Sequence, residues 1–448
     1  MPRHGRGMGA RDGPCSTQET LKRSMPEQWS IADFYIGSTI GEGRYGRVVH
    51  AIVKDRNEKN DDETSLPTAR RRPRISVGGE DPHHCRHVAI KIMDKAQLIR
   101  LRQTKAALRE RKILTYLTEI RHCGEQTFVP RLLMSFVDES SLYIVTELCD
   151  GGTLSDLVRH IYCDCAQNSG ESEQQPPPFN GKSHEQRYQW MRYILAQVLC
   201  ALEFLHSVRI IHRDLKPDNA LLLSNGRVKL VDFGSAIYVQ SDNGEGIPVD
   251  GLDEFVGTAD YVSPEMIRGT RDSTDASARI TFPTLAAQDL WSFGCMVHFS
   301  LSGRSPFHTE SDHLAMKAIL SHADGSHACN LSTEIPPNGK DLIGALLAGN
   351  AEMRLGYREI VWQHPVDSDK GIKADATDGS SDPQPIQQYT SIRQHSFFLD
   401  TDWDSMDRWA AMAPRTAPVP AWVEKYEAGS SDLKDGASIQ NDMSWLVA

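Results

Sequence analysis

Apolar positions along this chain follow two rhythms, separated by three long polar stretches and flanked by polar ends. Residues 1–30 are rich in Arg, Gly and Ser and read as a mobile tail. Order is expected from Ile31-Ala-Asp-Phe-Tyr-Ile-Gly37, a strand pattern that leads to glycines at 41, 43 and 46 and resumes in Val48-Val-His-Ala-Ile-Val53. Residues 54–86 are charged, contain Pro and Gly and show little apolar periodicity, which marks an insert between two strands. Val88-Ala-Ile-Lys91 is a strand carrying one Lys. Between Lys105 and Tyr116 the period turns helical, with Ala107, Leu108, Arg111 and Leu114 near one another. Leu142 to Cys149 then reads as a buried strand ending in Asp150-Gly151-Gly152, a strand-to-hinge transition.

A second polar insert spans 163–183 and contains Pro176-Pro-Pro178. A long amphipathic helix follows from Tyr188 to His206, its apolar side built from residues such as Ile194, Leu195, Val198 and Leu202. Ala220-Leu-Leu-Leu223 and Val228-Lys-Leu-Val231 flank Asn225-Gly226, the signature of a short hairpin. Ser241 to Glu254 is acidic, and Asp289-Leu-Trp-Ser-Phe-Gly294 opens an apolar helix. A third polar insert covers 366–388, His395-Ser-Phe-Phe398 and Trp403 resume packing, and 426–448 read as a C-terminal tail.

The 448 residues give room for about two to three domains, and 39% hydrophobic content is ordinary for a globular chain. A net charge of −11 repels polyanions and speaks against nucleic acid as the main partner. The run Arg70-Arg-Arg-Pro-Arg74 is the local exception, either a solvated charge run or, with Ser76, a recognition site for a basophilic kinase. Nine cysteines form no CxxC pair, and Cys163-Asp164-Cys165 is too tight for the usual zinc spacing. The odd count fits a reducing compartment. No stretch approaches the roughly 18 apolar residues of a membrane span, and no secretory leader stands at the start. A cytoplasmic protein without a transmembrane segment is the expectation.

Candidate chemistry concentrates between Ile210 and Gly234. The chain reads Ile-Ile-His-Arg-Asp-Leu-Lys-Pro-Asp-Asn219, then Val231-Asp-Phe-Gly234, with the hairpin between. A hairpin folds back on itself, so Asp214 and Asp232 are expected at the same mouth. Asp214 can accept a proton from an incoming hydroxyl, and Lys216 can neutralise a phosphoryl group in flight. Asn219 and Asp232 are hard oxygen ligands suited to Mg²⁺. Gly41-Glu42-Gly43-Arg44-Tyr45-Gly46 allows backbone N–H groups to lie close over phosphates. On its own that pattern is weak, but a strand follows it instead of a helix, which disfavours a dinucleotide site.

Taken together these motifs are the protein kinase signature. From Asp33 to about Tyr426 the chain resembles the AGC group of serine/threonine kinases, and within it the phosphoinositide-dependent protein kinase family. Phe255-Val-Gly-Thr-Ala-Asp-Tyr-Val-Ser-Pro-Glu265, Leu108-Arg-Glu-Arg111 and His395-Ser-Phe-Phe398 with Trp403 carry the likeness. It implies an α+β, bilobal fold: a small antiparallel β lobe with one key helix over 31–147 and a larger, mainly helical lobe over 148–425. The implied cofactors are ATP and Mg²⁺, the latter held by Asn219 and Asp232. ATP would lie among Ile40, Gly41, Glu42, Gly43, Gly46, Val48, Ala89, Lys91, Thr146, Glu147, Cys149 and Leu221. The backbone of Glu147 and Cys149 would meet adenine, with Thr146 behind it. Cys149 is read as partly exposed, with a reactive thiol as a secondary reading. Lys91 would bind phosphates and pair with Glu110, Glu119 being the second choice. Thr258 would bond Asp214 and Lys216, Glu265 would pair with Arg354, and Asp289 would tie down the catalytic loop.

Three departures from the family pattern matter. Glu254 stands where the family has a phosphoserine, facing Arg213 and Arg109, while the third cationic position is Ile237. This implies activity without activation-loop phosphorylation; a solvated loop Glu is the alternative. The residues after Tyr426 are too few for the family's lipid-binding PH domain. No aromatic hydrophobic motif appears near the C-terminus, so a small-lobe pocket of Lys95, Leu98, Ile99, Ala107, Arg111, Leu142 and Ile144 is expected to hold a substrate's tail. Plain helix-to-sheet packing explains Leu142 and Ile144 equally well. Thr153 and Phe299 replace carboxylates of Arg-directed kinases, leaving Asp218, so partners would be chosen by docking. The expected partners are protein substrates, other AGC kinases with C-terminal hydrophobic motifs. The rival readings are another AGC-like kinase with its own substrates and a pseudokinase scaffold.

Overall fold

Alternating apolar residues build one antiparallel sheet from β1 (Phe34–Gly43), β2 (Gly46–Val53), β3 (His87–Asp94), β4 (Leu132–Val137) and β5 (Ser141–Glu147), in the order β1-β2-β3-β5-β4. The computed structural model describes residues 29–43, 46–54, 87–119, 128–167, 184–239, 257–269, 282–363 and 388–407. The insert read at 54–86 falls between β2 and β3, which still pair without a break from Gly46↔Met93 to Ile52↔His87. Apart from Lys54, the insert lies outside the described residues. So do most of 163–183 and 366–388 and all of 426–448.

Period-two alternation sorts the strand side chains onto two faces. Phe34, Val49, Ala51, Val88, Ile90, Tyr143 and Val145 form an outer core. Trp29 covers it, 5.7 Å from Phe34, whose ring stacks on Phe136 at 6.0 Å. Trp29 belongs to the stretch read as tail, yet an apolar sheet face needs a cover, and this indole supplies it. The inner face sends Met93, Leu142 and Ile144 into the main core. There they meet α2 (Thr104–Glu119), which follows the short α1 (Lys95–Arg100). Asp94 caps α1 by accepting the Gln97 N–H at 2.7 Å. The buried stripe of α2 runs Ala107, Glu110, Ile113, Leu114 and Leu117, so a carboxylate sits where the period calls for a hydrophobe.

The second lobe is organised around α4 (His184–Ser207) and α6 (Phe282–Ser302). The α6 helix is apolar on all sides and enclosed accordingly, with Asp289 fully buried within it. Around them pack α3 (Leu154–Gln167), α5 (Pro264–Arg268), α7 (Asp312–Ala323), α8 (Pro337–Leu346) and α9 (Tyr357–Gln363). The α3 backbone stays helical past residue 163, where the sequence pattern suggests a loop. Two small two-stranded sheets accompany the helices. β6 (Ile210–Ile211) pairs with β9 (Ile237–Tyr238), and β7 (Ala220–Leu222) with β8 (Val228–Leu230). Gly226 turns the second at φ +78°, as the Asn-Gly signature requires. No helix among the described residues is long and apolar enough to cross a membrane.

After the third insert the chain returns through Tyr389, α10 (Thr390–Arg393), Phe397, Phe398 and α11 (Trp403–Asp407). This segment is pinned to α4 by a buried ion pair that the sequence pattern does not announce. Glu203 accepts Arg393 Nε at 2.9 Å and the Tyr389 N–H at 2.7 Å. The Arg393 guanidinium also lies 4.7 Å from the centre of the Trp403 ring. Removing one partner of such a pair strands the other charge in a dry interior. Glu203→Ala is therefore expected to destabilise the chain by about 3–5 kcal/mol, and Glu203→Leu with Arg393→Leu by much less. Urea denaturation of the variants distinguishes the two; equal losses would mean that the pair's burial is not what matters.

Candidate active site

The β3 register sets the first part of the site. Lys91 lies opposite Val48 on one side and Ile144 on the other, on the inner sheet face. Its ammonium donates to Glu110 Oε1 and Oε2 at 2.8 and 2.7 Å, and to Asp232 Oδ1 at 3.1 Å. Burial works against the Lys91 charge, but Asp232 and then Glu110 more than offset it, and its pKa is raised. Burial pushes the Glu110 carboxyl upward while Lys91 opposes that; two short charge-assisted bonds keep it the carboxylate of the pair. Glu119, the second choice from sequence, is the exposed last residue of α2 and takes no part.

The second part is the catalytic loop. Asp289 accepts the N–H groups of His212 at 2.8 Å and Arg213 at 2.9 Å. Arg213 sits at φ +64°, a left-handed conformation that costs a non-glycine residue about 1–3 kcal/mol. The two bonds from Asp289 offset that strain. Asp214 Oδ2 accepts Lys216 Nζ at 3.0 Å and Asn219 Nδ2 at 3.2 Å. Thr258 Oγ1 accepts from Lys216 at 2.8 Å and donates to Asp214 Oδ1 at 3.2 Å. Gly257, at φ +99°, lets Thr258 come this close: a Cβ there would lie 3.0 Å from the Arg213 carbonyl.

The β7–β8 hairpin joins the two parts. The Val231 N–H donates to the Asn219 carbonyl at 3.0 Å, and His212 Nε2 donates to the Val231 carbonyl at 3.0 Å. Asp232 follows directly, at φ +65°. Lys91 chiefly, against burial, holds its carboxyl down at about 2, with His212 and Lys216 adding to the effect. Asp232 is thus ionised throughout the physiological range.

The donor set fits a hard cation. Asn219 directs its Nδ2 protons to the Asp214 carbonyl and carboxylate, which leaves its amide oxygen as the coordinating atom beside an ionised Asp232. The glycines fit phosphates. Among the described residues a Cβ added to Gly41 or Gly43 would meet nothing closer than 3.7 Å, so packing does not demand glycine there. Gly46 is different: its Cβ would lie 2.0 Å from the Ile92 carbonyl, so packing alone requires glycine. Arg44 and Tyr45 lie outside the described residues.

Ile40, Val48, Ala89, Thr146 and Leu221 are all half-buried. Ala89 pairs with Thr146 above, while Leu221 comes from below, where Gly151 N–H bonds the Leu222 carbonyl at 2.9 Å. The exposed Glu42 is at the tip of β1. The Glu147 N–H is committed to the Arg131 carbonyl at 3.1 Å, so an adenine could use only its carbonyl. The Glu147 side chain takes Lys229, a buried ion pair behind the hinge that sequence reading missed because the residues are far apart in the chain. The reactive reading of Cys149 fails. Cys149 is partly exposed, as read, but burial foremost, opposed by Lys229 and joined by Glu147 and Asp150, pushes its thiol up to about 12, so the thiolate is scarce.

Other positions divide. Glu265 pairs with Arg354 at 2.8 Å. Arg109 Nη1 reaches the Gly234 carbonyl at 3.5 Å, Arg213 is buried, and Glu254 lies outside the described residues. Ile237 is buried in β9. Thr153 Oγ1 donates to Asp156 at 2.6 Å and caps α3, Phe299 is half-buried, and Asp218 is exposed. Of the small-lobe pocket residues, Leu98, Ala107, Leu142 and Ile144 are buried in the main core. Ile99 stands 70% exposed, Arg111 is exposed, and Lys95 reaches the Asp138 carbonyl.

Comparison with known proteins agrees with this geometry. The protein kinase domain model matches residues 78–366; β1 and β2 precede that range, yet they belong to the same sheet. The chain is 28% identical to 3-phosphoinositide-dependent protein kinase 1 of Arabidopsis thaliana, over 89% of this chain and 61% of that protein. It is 30% identical to serine/threonine-protein kinase ksg1 of Schizosaccharomyces pombe, over 79% and 48%. To 3-phosphoinositide-dependent protein kinase 1 of Homo sapiens it is 26% identical, over 93% and 56%. The chain thus spans only part of the length of these relatives. A domain match over more than half of its length makes this chain a member of the protein kinase domain family, similar to 3-phosphoinositide-dependent protein kinases and other serine/threonine kinases.

Proposed function

We propose that the chain is an ATP-dependent serine/threonine kinase that phosphorylates the activation loops of other AGC kinases, which it captures through its small lobe. One observation carries the reading. The Lys91–Glu110–Asp232 cluster and the Asp214–Lys216–Asn219–Thr258 cluster are tied together through Val231, at one mouth between the lobes.

Each group has a task in that arrangement. Asp214 orients the acceptor hydroxyl and takes its proton. Lys216, 3.0 Å from Asp214, offsets charge on the phosphoryl group in a loose transition state. Thr258 braces both, and this Lys–Thr pairing favours Ser or Thr over Tyr as acceptor. Lys91, oriented by Glu110, positions the nucleotide phosphates. Asn219 and Asp232 would hold Mg²⁺, which when bound neutralises charge on the phosphate oxygens. Cytoplasmic action accords with the free thiols of Cys149, Cys200, Cys295 and Cys329.

Capture of substrates rests on the α1–α2 face. Ile99 and Arg111 are its open positions, above a floor of Leu98 and Ala107, and suit an aromatic tail with a phosphate. Glu254 is proposed to replace the activating phosphate, in line with the sequence around it.

Asp214→Asn is expected to lower transfer to an AGC activation loop by about a hundred-fold or more. Phosphosite mapping on such kinases incubated with the full chain reads this directly, and a variant at the wild-type rate would unseat the assigned base. Ile99→Asp with Arg111→Ala should reduce kcat/KM about ten-fold for substrates bearing a hydrophobic motif and leave short activation-loop peptides unaffected. Equal effects on both would favour a kinase with other substrates. Glu254→Ala should impair activity of protein made without activation-loop phosphorylation; unchanged turnover would return Glu254 to the solvated loop.

A further inference from the structure

The proposed chemistry uses Asp289 but leaves open what stands behind it. Tyr389, the first buried side chain after the third insert, meets His206 Nδ1 through its hydroxyl inside the large lobe. The other nitrogen of His206, Nε2, lies 2.9 Å from Asp289 Oδ2. Tyr389, His206 and Asp289 are each 0% exposed. With the bonds from Asp289 to the His212 and Arg213 N–H groups, they form an unbroken chain from the C-terminal segment to the backbone before Asp214.

The chemistry of that chain fixes its protons. An ionised Asp289 only accepts, so His206 Nε2 must carry a hydrogen. Among the described residues Nδ1 is the one partner of the Tyr389 hydroxyl, so a hydrogen on Nδ1 would strand the phenol proton, and a bare Nδ1 sealed from water needs a donor. The Tyr389 hydroxyl is that donor, and burial raises its pKa well above the ordinary phenol value, so it keeps its proton. Tyr389 is held independently of its hydroxyl, its backbone N–H donating to Glu203 at 2.7 Å and its ring in edge contact with His206 at 5.9 Å between ring centres. The hydroxyl is therefore not needed to seat the segment, which frees it for the task at His206.

We propose that Tyr389 is a positioning residue for phosphoryl transfer: its hydroxyl selects the Nε2–H tautomer of His206, and through Asp289 this holds the His212–Arg213 backbone, and with it Asp214, in register. The inference rests on the kinase reading above. It gives Tyr389, and not the rest of the C-terminal segment, a part in positioning the catalytic loop. Because Arg213 is held in a left-handed conformation, small changes at Asp289 are felt at Asp214.

The test is ADP release by the full chain with Mg-ATP, water serving as acceptor. Tyr389→Phe should lower kcat about five-fold with the KM for ATP little changed. Trp403→Leu loosens the same segment away from His206 and should lower the thermal midpoint without lowering kcat. In a His206→Asn background, Tyr389→Phe should cause no further loss. Wild-type kcat in Tyr389→Phe, an equal loss in Trp403→Leu, or additive losses in the double variant would each overturn the proposal. A second readout does not need turnover. Side-chain ¹⁵N spectra should show His206 protonated at Nε2 and bare at Nδ1, with the Nδ1 signal shifted in Tyr389→Phe. The Nδ1–H tautomer in the wild type would refute the proposal. A wild-type chain that releases no ADP would count against the kinase reading, and the tautomer would still decide this one.

Discussion

Lys91 is one ammonium shared by two carboxylates from different lobes. Glu110 comes from α2 in the small lobe and Asp232 from the loop after β8 in the large lobe. Placing one cation between them ties sheet, helix and large lobe into a single geometry. The bonds are short and charge-assisted, with Glu110 buried and Asp232 open to solvent, so the cluster is sensitive to how the lobes are set. Glu110 is affordable in an apolar stripe only because Lys91 reaches it; without that partner a buried carboxylate would lose its charge.

A second constraint acts from below. The catalytic loop carries left-handed backbone at Arg213, and Asp232 does the same at the neighbouring loop. Neither conformation is favourable by itself, so each is imposed by surrounding bonds. Asp289 takes two N–H groups of the first loop, and the Val231 backbone links that loop to the second. Strain held in this way keeps Asp214 and Asp232 facing one mouth before any substrate arrives, the arrangement that phosphoryl transfer uses. Glu203 with Arg393 and Tyr389 with His206 extend the same scaffold to the C-terminal segment. The rigid part of the site therefore reaches well beyond the motifs that first reveal it.

How much of this is readable from residues alone depends on the distance over which each interaction acts. The hairpin at Asn225-Gly226, the Ile210–Asn219 motif and the helical period around Glu110 are local, and local spacing dictates them. Residue types state much of the chemistry too: an amide and a carboxylate that suit a cation, glycines that suit close approach of phosphates. The bilobal α+β fold followed from the family that these motifs resemble. Trp29 lay beyond reach because its role is to cover a sheet face assembled from five separate strands.

Tertiary structure decided what depends on burial and on contacts between distant residues. Glu110 and Glu119 share one helix; sequence ranked Glu110 first, and the direction of packing is what brings it to Lys91. Cys149 has a hinge position that sequence can name, but burial decides that its thiol keeps its proton. The Lys229–Glu147, Arg393–Glu203 and Tyr389–His206 contacts join residues that no periodic pattern relates. Sequence by itself determined the elements and the reactive groups, because those follow from short-range sterics and side-chain chemistry. The folded chain alone decided ionisation, tautomer and strain, because these are set by desolvation and by partners brought together only when the core closes.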